Sequence, residues 1–391
     1  MMAQNRYPSR RLEELCEINI GKTPSRSKPA YWNGLHPWLS IADMNQGRYL
    51  RKTKEKITDA GVDASGIKIV PKRTLVLSYK LSIGKVGITE KEMYTNEAIA
   101  SLPIKDQKVL DLNYLYWALK TIDLMGTSDR AAMGNTLNKA KLKEIRVPLP
   151  ALEEQKRIAK ILDAADALRA KRRESLAQLD VLLQSAFLDL FGDPVSNPKN
   201  WQARPLGEMM RIRRGGSPRP IDKYLGGSVN WIKIGDATRS GDDIYISSCA
   251  EKITEEGLSK TTFLEEGSFV FANSGVSLGF ARILKVKGAI HDGWLAFDQF
   301  SDDLLNKLFF LKALNQITLH FRRMAPSGTQ PNLNTGIMKS FIMIVPPIEL
   351  QNQFAKFVEG VERQKALLRN HLEELDLLMG SLQRETFSME L

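Results

Sequence analysis

Two stretches of this chain place apolar residues at alternating steps of four and three. The later one runs Phe354, Val358, Val361, Lys365, Leu368, Leu372, Leu375, Met379, Leu382 and Thr386, eight of the ten apolar. The earlier one, 196 residues upstream, runs Ile158, Leu162, Ala165, Arg169, Arg172, Leu176, Leu179, Leu183, Ala186 and Leu190. That spacing is a coiled-coil seam and predicts two long helices. Pro148 and Pro150 precede the first and Pro346 and Pro347 the second, where proline can open a helix but not continue one. The 36 residues from Gln155 to Leu190 would reach about 54 Å at ~1.5 Å per residue. The apolar stripe is narrow and the outer faces are dense in charge, which suits helices standing between domains. Arg169 and Lys365 interrupt both seams at the same place. The interruption fits either a solvated kink or a device that fixes how the helices pair.

Outside these helices the pattern is mixed. Short strand-like runs at residues 74–78 and 268–272 are bounded by turn-forming residues, and residues 112–120 carry a shorter helical pattern. The second half also echoes the first at a shift of 193 to 196 residues. Trp38-Leu39-Ser40-Ile41-Ala42-Asp43 matches Trp231-Ile232-Lys233-Ile234-Gly235-Asp236, Leu137-Asn138 matches Leu333-Asn334, and Glu153 with Gln155 matches Glu349 with Gln351. Several such matches in one order at a nearly constant shift define an internal duplication. The expected fold is mixed α/β (α+β). Two globules, residues 1–150 and 193–347, are joined by two long antiparallel coiled-coil helices, residues 151–192 and 348–391, under a pseudo-two-fold repeat.

Charge sharpens this division. The net charge is +11. Residues 1–152 hold 25 basic and 15 acidic side chains and residues 192–348 hold 19 and 15, whereas 153–191 balance at 7 and 7 and 349–391 hold 5 and 8. The positive excess therefore lies in the globules, as expected of a polyanion partner. Cys16 and Cys249 are the two cysteines. They make no disulfide framework or zinc site, and they suit a reducing cytoplasm. No apolar run approaches the ~20 residues that span a bilayer, and the opening residues lack the apolar core of a signal peptide, so no membrane association is expected.

Catalytic signatures are missing. Gly21-Lys22-Thr23 resembles the end of a P-loop, but Cys16 stands where its first glycine is required. No N-P-P-Y or D-P-P-Y run of an amino-methyltransferase occurs, His36, His291, His320 and His371 show no metal-ligand spacing, and no nuclease constellation stands out. The expectation is a reader without catalysis and without a metal or cofactor of its own. A stand-alone DNA nuclease and a coiled-coil scaffold that binds only protein are the alternatives.

Val147-Pro148-Leu149-Pro150-Ala151-Leu152-Glu153-Glu154-Gln155-Lys156-Arg157-Ile158-Ala159-Lys160-Ile161-Leu162 resembles the signature that opens the central helix of type I restriction–modification specificity subunits. Val345-Pro346-Pro347-Ile348-Glu349-Leu350-Gln351 is its weaker second copy, and Phe191-Gly192-Asp193-Pro194 is similar to that family's join between first helix and second globule. The resemblance spans essentially the whole chain. It implies two target-recognition domains, each reading one half of a split double-stranded DNA sequence. It also implies a helical pair that sets the spacing and docks two adenine methyltransferase subunits. Restriction subunits would join that complex. S-adenosylmethionine, ATP and magnesium would belong to those partners.

Lysine and arginine supply salt-dependent phosphate affinity, and polar side chains read base edges. Two loops per globule combine such residues with turn-formers. In the first they carry Lys80, Ser82 and Lys85, then Arg130, Asn135, Thr136 and Asn138. In the second they carry Asn273, Ser274, Ser277 and Arg282, then Arg322, Arg323, Ser327, Thr329, Gln330 and Asn332. Lys22 and Arg26, with Arg219 opposite, are a third choice. Ile158, Leu162, Leu176, Leu179, Leu183, Phe354, Val358, Val361, Leu368, Leu372, Leu375 and Leu382 are expected to pair the helices.

Overall fold

The computed structural model describes residues 7–124, 129–131, 134–239, 242–325 and 332–387. The chain forms two units, one of residues 1–173 and 370–391, the other of residues 174–369. The long helices run over Leu152–Phe191 and Ile348–Phe387, 40 residues each, so each gives one half to each unit.

Each helix is anchored at its start by a glutamine with no exposed surface. Gln155 donates from Nε2 to the carbonyls of Pro150 and Val109, both at 2.9 Å, and its Oε1 accepts the Asp111 amide at 2.9 Å. Gln351 repeats the pattern with Pro346, Leu304 and the Asn306 amide, at 2.8, 2.9 and 2.9 Å. Asp111 and Asn306 are in turn the N-caps of the helices Leu112–Thr121 and Lys307–Gln316. The run of proline, leucine and glutamic acid around each glutamine therefore starts a helix and locks it to its unit in one step.

The first unit holds a five-stranded sheet in the order Asn19–Ile20, Ile99–Leu102, Leu75–Ser78, Val86–Thr89, Tyr49–Leu50. A smaller sheet places Trp32–Leu39 between Glu55–Ile57 and Tyr94–Thr95, and Ser9–Arg11 pairs with Arg146–Pro148 beside the long helix. The second unit repeats this plan. Its five-stranded order is Arg211–Arg214, Trp294–Asp298, Phe269–Ala272, Ala281–Leu284, Tyr245–Ile246, and Ala203–Pro205 pairs with Ile342–Ile344. Its smaller sheet gains a strand, Thr262–Leu264, where the first unit has only the isolated Val70–Met93 bridge.

The repeated Trp38-to-Asp43 motif is structural. Asp43 is buried and accepts the Ser40 and Lys54 amides at 2.9 and 3.1 Å, while Asp236 accepts those of Lys233 and Ala250 at 2.8 and 3.1 Å. The cores use different side chains. Tyr114 and Trp117 fill the first, and Phe269, Phe297, Phe309 and Phe310 fill the second. Both cysteines are free thiols; burial pushes Cys16 up to about 12 and Cys249 up to about 11.

Within each unit the helix halves pack together. In the second unit Asp180 meets Lys365 while Phe191, further along, meets Phe354 at 5.4 Å, which makes the halves antiparallel. In the first, Ile158 and Leu162 share a core with Met379 and Phe387. Leu183, Val358 and Val361 are buried, and Leu176, Leu179, Leu368, Leu372, Leu375 and Leu382 are half-buried. The heptad reading fails at the ends. Leu190 is 37% exposed, whereas Phe187 and Phe191 are 1% and 0%, and Phe387, not Thr386, closes the other helix at 2%. A straight α-helix turns in 3.6 residues, so a buried stripe that must face the partner helix at Phe354 and the globule at Phe309 together continues in steps of four.

The polar interruption is an ion cluster in both units. Lys365 is 2% exposed and reaches Asp180 on the facing helix at 2.6 Å and Glu362 on its own at 3.0 Å. Arg169 pairs with Asp376 across the seam and with Asp166 at 3.2 Å. Burial alone would lower the Lys365 ammonium, but Asp180 and Glu362 outweigh it and hold it above its ordinary range.

Gln351→Leu would strand the Asn306 amide and two carbonyls in the core. Losing a partner for buried groups costs about 1–3 kcal/mol, so the variant is expected to unfold at a clearly lower denaturant concentration. An unchanged midpoint would show that the glutamine does not hold the helix.

Candidate nucleic-acid interface

Two segments of the first unit meet residues 95–98, and a third joins them through Tyr79. The Lys22 amide donates to the Thr95 carbonyl at 2.9 Å, and the Thr23 hydroxyl bonds the Glu97 carboxylate. The Tyr79 amide donates to the Ala98 carbonyl at 3.0 Å and its hydroxyl to the Glu97 carbonyl at 2.7 Å. The Leu137 amide then donates to the Tyr79 carbonyl at 2.9 Å. The two loops singled out in the sequence, residues 79–85 and 130–138, are thus joined by a backbone bond.

The second unit repeats the arrangement around residues 290–294. The Gly216 amide donates to the Ile290 carbonyl at 3.0 Å, and the Ser217 hydroxyl to the Asp292 carboxylate at 2.9 Å. The Asn273 amide donates to Gly293 at 3.0 Å, and the Leu333 amide to the Asn273 carbonyl at 2.8 Å. Thr23 with Glu97 and Ser217 with Asp292 form an equivalent hydroxyl–carboxylate pair that sequence reading missed. The repeat shift maps one onto the other, so that signal was available.

The candidate residues separate by environment. Lys80 and Ser82 lie on the turn after Leu75–Ser78, with Ser82 and Arg323 exposed. Arg219 is exposed, and Ser274 and Ser277 are half-buried on the matching turn. Asn332 bridges Ser274 and accepts from Asn273 Nδ2 at 3.2 Å. Arg130, Asn135 and Thr136 fall in the hairpin Asp129–Ala131 and Gly134–Thr136, where Arg130 faces Asn135. Their side chains, and Ser327, Thr329 and Gln330, lie outside the described residues.

Other candidates serve the fold. Asn273 is fully buried. Arg282 is 8% exposed inside the sheet, donates to the Ala281 carbonyl at 2.9 Å and stacks 4.7 Å from the Phe280 ring, and burial lowers its guanidinium. Asn273 has no exposed surface and Arg282 almost none, so both side chains are committed to the sheet, which corrects the expectation for both. Asn138 caps the helix Lys139–Glu144 by accepting the Lys141 amide at 2.9 Å, as Asn334 caps Thr335–Ser340. Arg26 is held by Glu55 and lies 3.8 Å over the Trp32 ring. Lys22 donates to the Ser65 carbonyl at 3.0 Å, Lys85 to Asn45 at 2.7 Å and Arg322 to the Leu278 carbonyl at 3.1 Å. These four keep part of their donor capacity engaged within the protein.

Positive charge gathers at the second convergence. His291 accepts the Gly293 amide on Nδ1 at 3.0 Å, and its Nε2 lies 3.0 Å from Asp292. Burial first, and then Lys233, Arg219 and Arg214, hold its imidazole below the ordinary value, with Asp292 opposing them. Arg214, exposed at the end of its strand, donates to the Asp292 carbonyl at 3.3 Å and escaped the sequence reading. Among the described residues no group of three or more His, Cys, Asp or Glu side chains is placed to hold a metal ion. No described helix is long and apolar enough to cross a membrane.

A duplicated mixed α/β unit, with paired polar loops at equivalent places and long helices shared between the copies, defines a bipartite recognition protein. The chain belongs to the family described as the type I restriction modification DNA specificity domain, whose pattern matches residues 6–179 and again residues 198–377. The specificity subunit of the type I restriction enzyme MjaIX from Methanocaldococcus jannaschii is 26% identical over 376 residues, covering 90% of this chain and 85% of that one. The fold is similar to the S subunit of the type I restriction-modification system from M. genitalium, with TM-score 0.60 at 18% identity over 100% of this chain and 99% of that one. A chain from a structural study of assembly and conformational transition in the type I R-M system gives 0.64 at 17% identity, over 98% of each.

The folded His291 imidazole takes up a proton less readily than the unfolded one. The stability it protects is therefore present above the unfolded value near 6.5 and is lost as pH falls through it toward the folded value. Between pH 7.5 and 5.5 the denaturant midpoint should fall further in the parent than in His291→Gln. Equal falls would contradict this environment for His291.

Proposed function

We propose that this chain is the DNA-reading subunit of a type I restriction–modification complex and carries no catalytic site of its own. Each unit reads one half of a split double-stranded target through the loops that converge on residues 95–98 or 290–294. Two methyltransferase subunits dock on the chain and restriction subunits join them, and S-adenosylmethionine, ATP and magnesium act in those partners. The length of the two long helices sets the gap between half-sites.

One observation carries this reading. Two polar loops of each unit are brought together by an equivalent backbone bond, Leu137 to Tyr79 in the first and Leu333 to Asn273 in the second, in a chain of the DNA specificity family. The net charge of +10 over residues 1–152 supports it, since phosphate neutralisation supplies most sequence-independent affinity. A scaffold that binds only protein accounts for the helices but not for the paired polar loops.

Co-expression with the cognate methyltransferase subunit in a methylation-free host, followed by mapping of modified adenines, is expected to give a split motif with a fixed gap. The motif should vanish when this chain is omitted. An assembled complex that modifies nothing would contradict the reading. Arg323→Ala should weaken binding on every sequence and lower the salt slope by about one, so an unaltered slope would remove Arg323 from the interface. Deleting a helical segment within residues 176–183 should change the gap and leave both half-sites unaltered. A folded deletion with the parent's gap would contradict the ruler role.

A further inference from the structure

The turn after Leu75–Ser78 contains a local conflict that its repeat avoids. In the second unit the residue three places after the strand Phe269–Ala272 is Gly275, in the left-handed region at φ +71°. The equivalent residue after Leu75–Ser78 is Leu81, at φ +64°. Open space surrounds a Cβ built on Gly275, so packing does not dictate glycine there; the backbone does. A branched side chain is disfavoured in this region.

Leu81 gains nothing from burial that would offset this, being 66% exposed. A single exposed leucine is ordinary, and so is an asparagine such as Asn33 in the left-handed region, where the second unit has Gly226. Arg73 breaks the same rule opposite Gly267, and its charged head stands in solvent. Leu81 alone of these combines an unfavourable backbone with an apolar side chain left in water. Strain of this kind persists where a function uses it.

The position of the turn supplies the function. Leu81 sits between Lys80 and Ser82, on the loop whose Tyr79 carbonyl binds Leu137 at the centre of the first convergence. The loop joins the antiparallel strands Leu75–Ser78 and Val86–Thr89; a two-stranded ribbon of this kind fits the major groove, where the apolar feature presented by a base pair is the thymine C5-methyl group. We propose that Leu81 is a specificity-determining residue that packs against the C5-methyl of a thymine in the half-site read by the first unit. This rests on the reading of the converging loops as the DNA interface.

The test uses the full chain assembled with its methyltransferase subunits. The probes are duplexes carrying the mapped motif, in which each thymine is replaced in turn by uracil, which lacks the methyl. One replacement should weaken the parent roughly fourfold, the worth of one buried methyl contact. Leu81→Gly should bind the unmodified duplex about that much more weakly and be indifferent to that uracil, while Leu81→Met keeps the discrimination. Leu81→Gly should also melt no lower than the parent, because relief of the left-handed backbone exceeds the entropy that glycine adds, so weaker binding cannot be ascribed to unfolding. Binding of Leu81→Gly equal to the parent's, retained sensitivity to each uracil that affects the parent, or a parent indifferent to all of them would overturn the proposal. A parent that binds no duplex specifically would overturn the interface itself.

Discussion

Everything distinctive in this fold depends on a buried side-chain amide at the start of each long helix. Gln155 and Gln351 tie a proline carbonyl, a loop carbonyl and the amide of a helix-capping residue to one planar group. Glutamine alone fits, because the site needs two donors and one acceptor at the end of a side chain long enough to cross from helix to loop. In the low-dielectric interior these bonds are strong, and leaving any of them unmade is costly. The direction in which each helix leaves its sheet is thereby fixed inside the unit. The same clamp occurs in both repeats, so each unit holds its converging loops in the same relation to its own helix halves.

The ion clusters at mid-seam set register where apolar packing alone would not. A ladder of leucines and valines loses little when two helices slip by a heptad. Lys365 between Asp180 and Glu362, or Arg169 between Asp166 and Asp376, would lose its partner. A buried charge pair contributes little net stability compared with apolar packing, but breaking one is expensive. Its effect is therefore to penalise alternatives, as a polar residue at a coiled-coil seam does. Of the two readings open in the sequence, the structure supports the pairing device.

Much of this was legible before any coordinates. The helix spacing, the flanking prolines and the shift of 193 to 196 residues identify the duplication and the two helices, because those signals are local and periodic. The loops at residues 79–85 and 130–138 were also legible as a pair, since polar, turn-forming residues recur at matching places. What was illegible depends on tertiary placement. Asn273 and Arg282 have the residue types of a DNA reader, yet they lie inside the sheet. Asn138 has the type of a base reader and serves as a helix cap. The switch from heptad steps to steps of four at Phe187 and Phe191 follows from what the helix end packs against, the Phe309 and Phe354 rings, which lie far away in sequence.

The central claim is that one scaffold presents two independent readers at equivalent positions. The most direct test replaces residues 203–344 with residues 9–148, joining the strands that flank each clamp, and maps the adenines modified by the assembled complex. The account predicts a motif built from two copies of a single half-site, separated by the parent's gap. An unchanged asymmetric motif, or an assembled and folded complex that modifies no split motif, would contradict it.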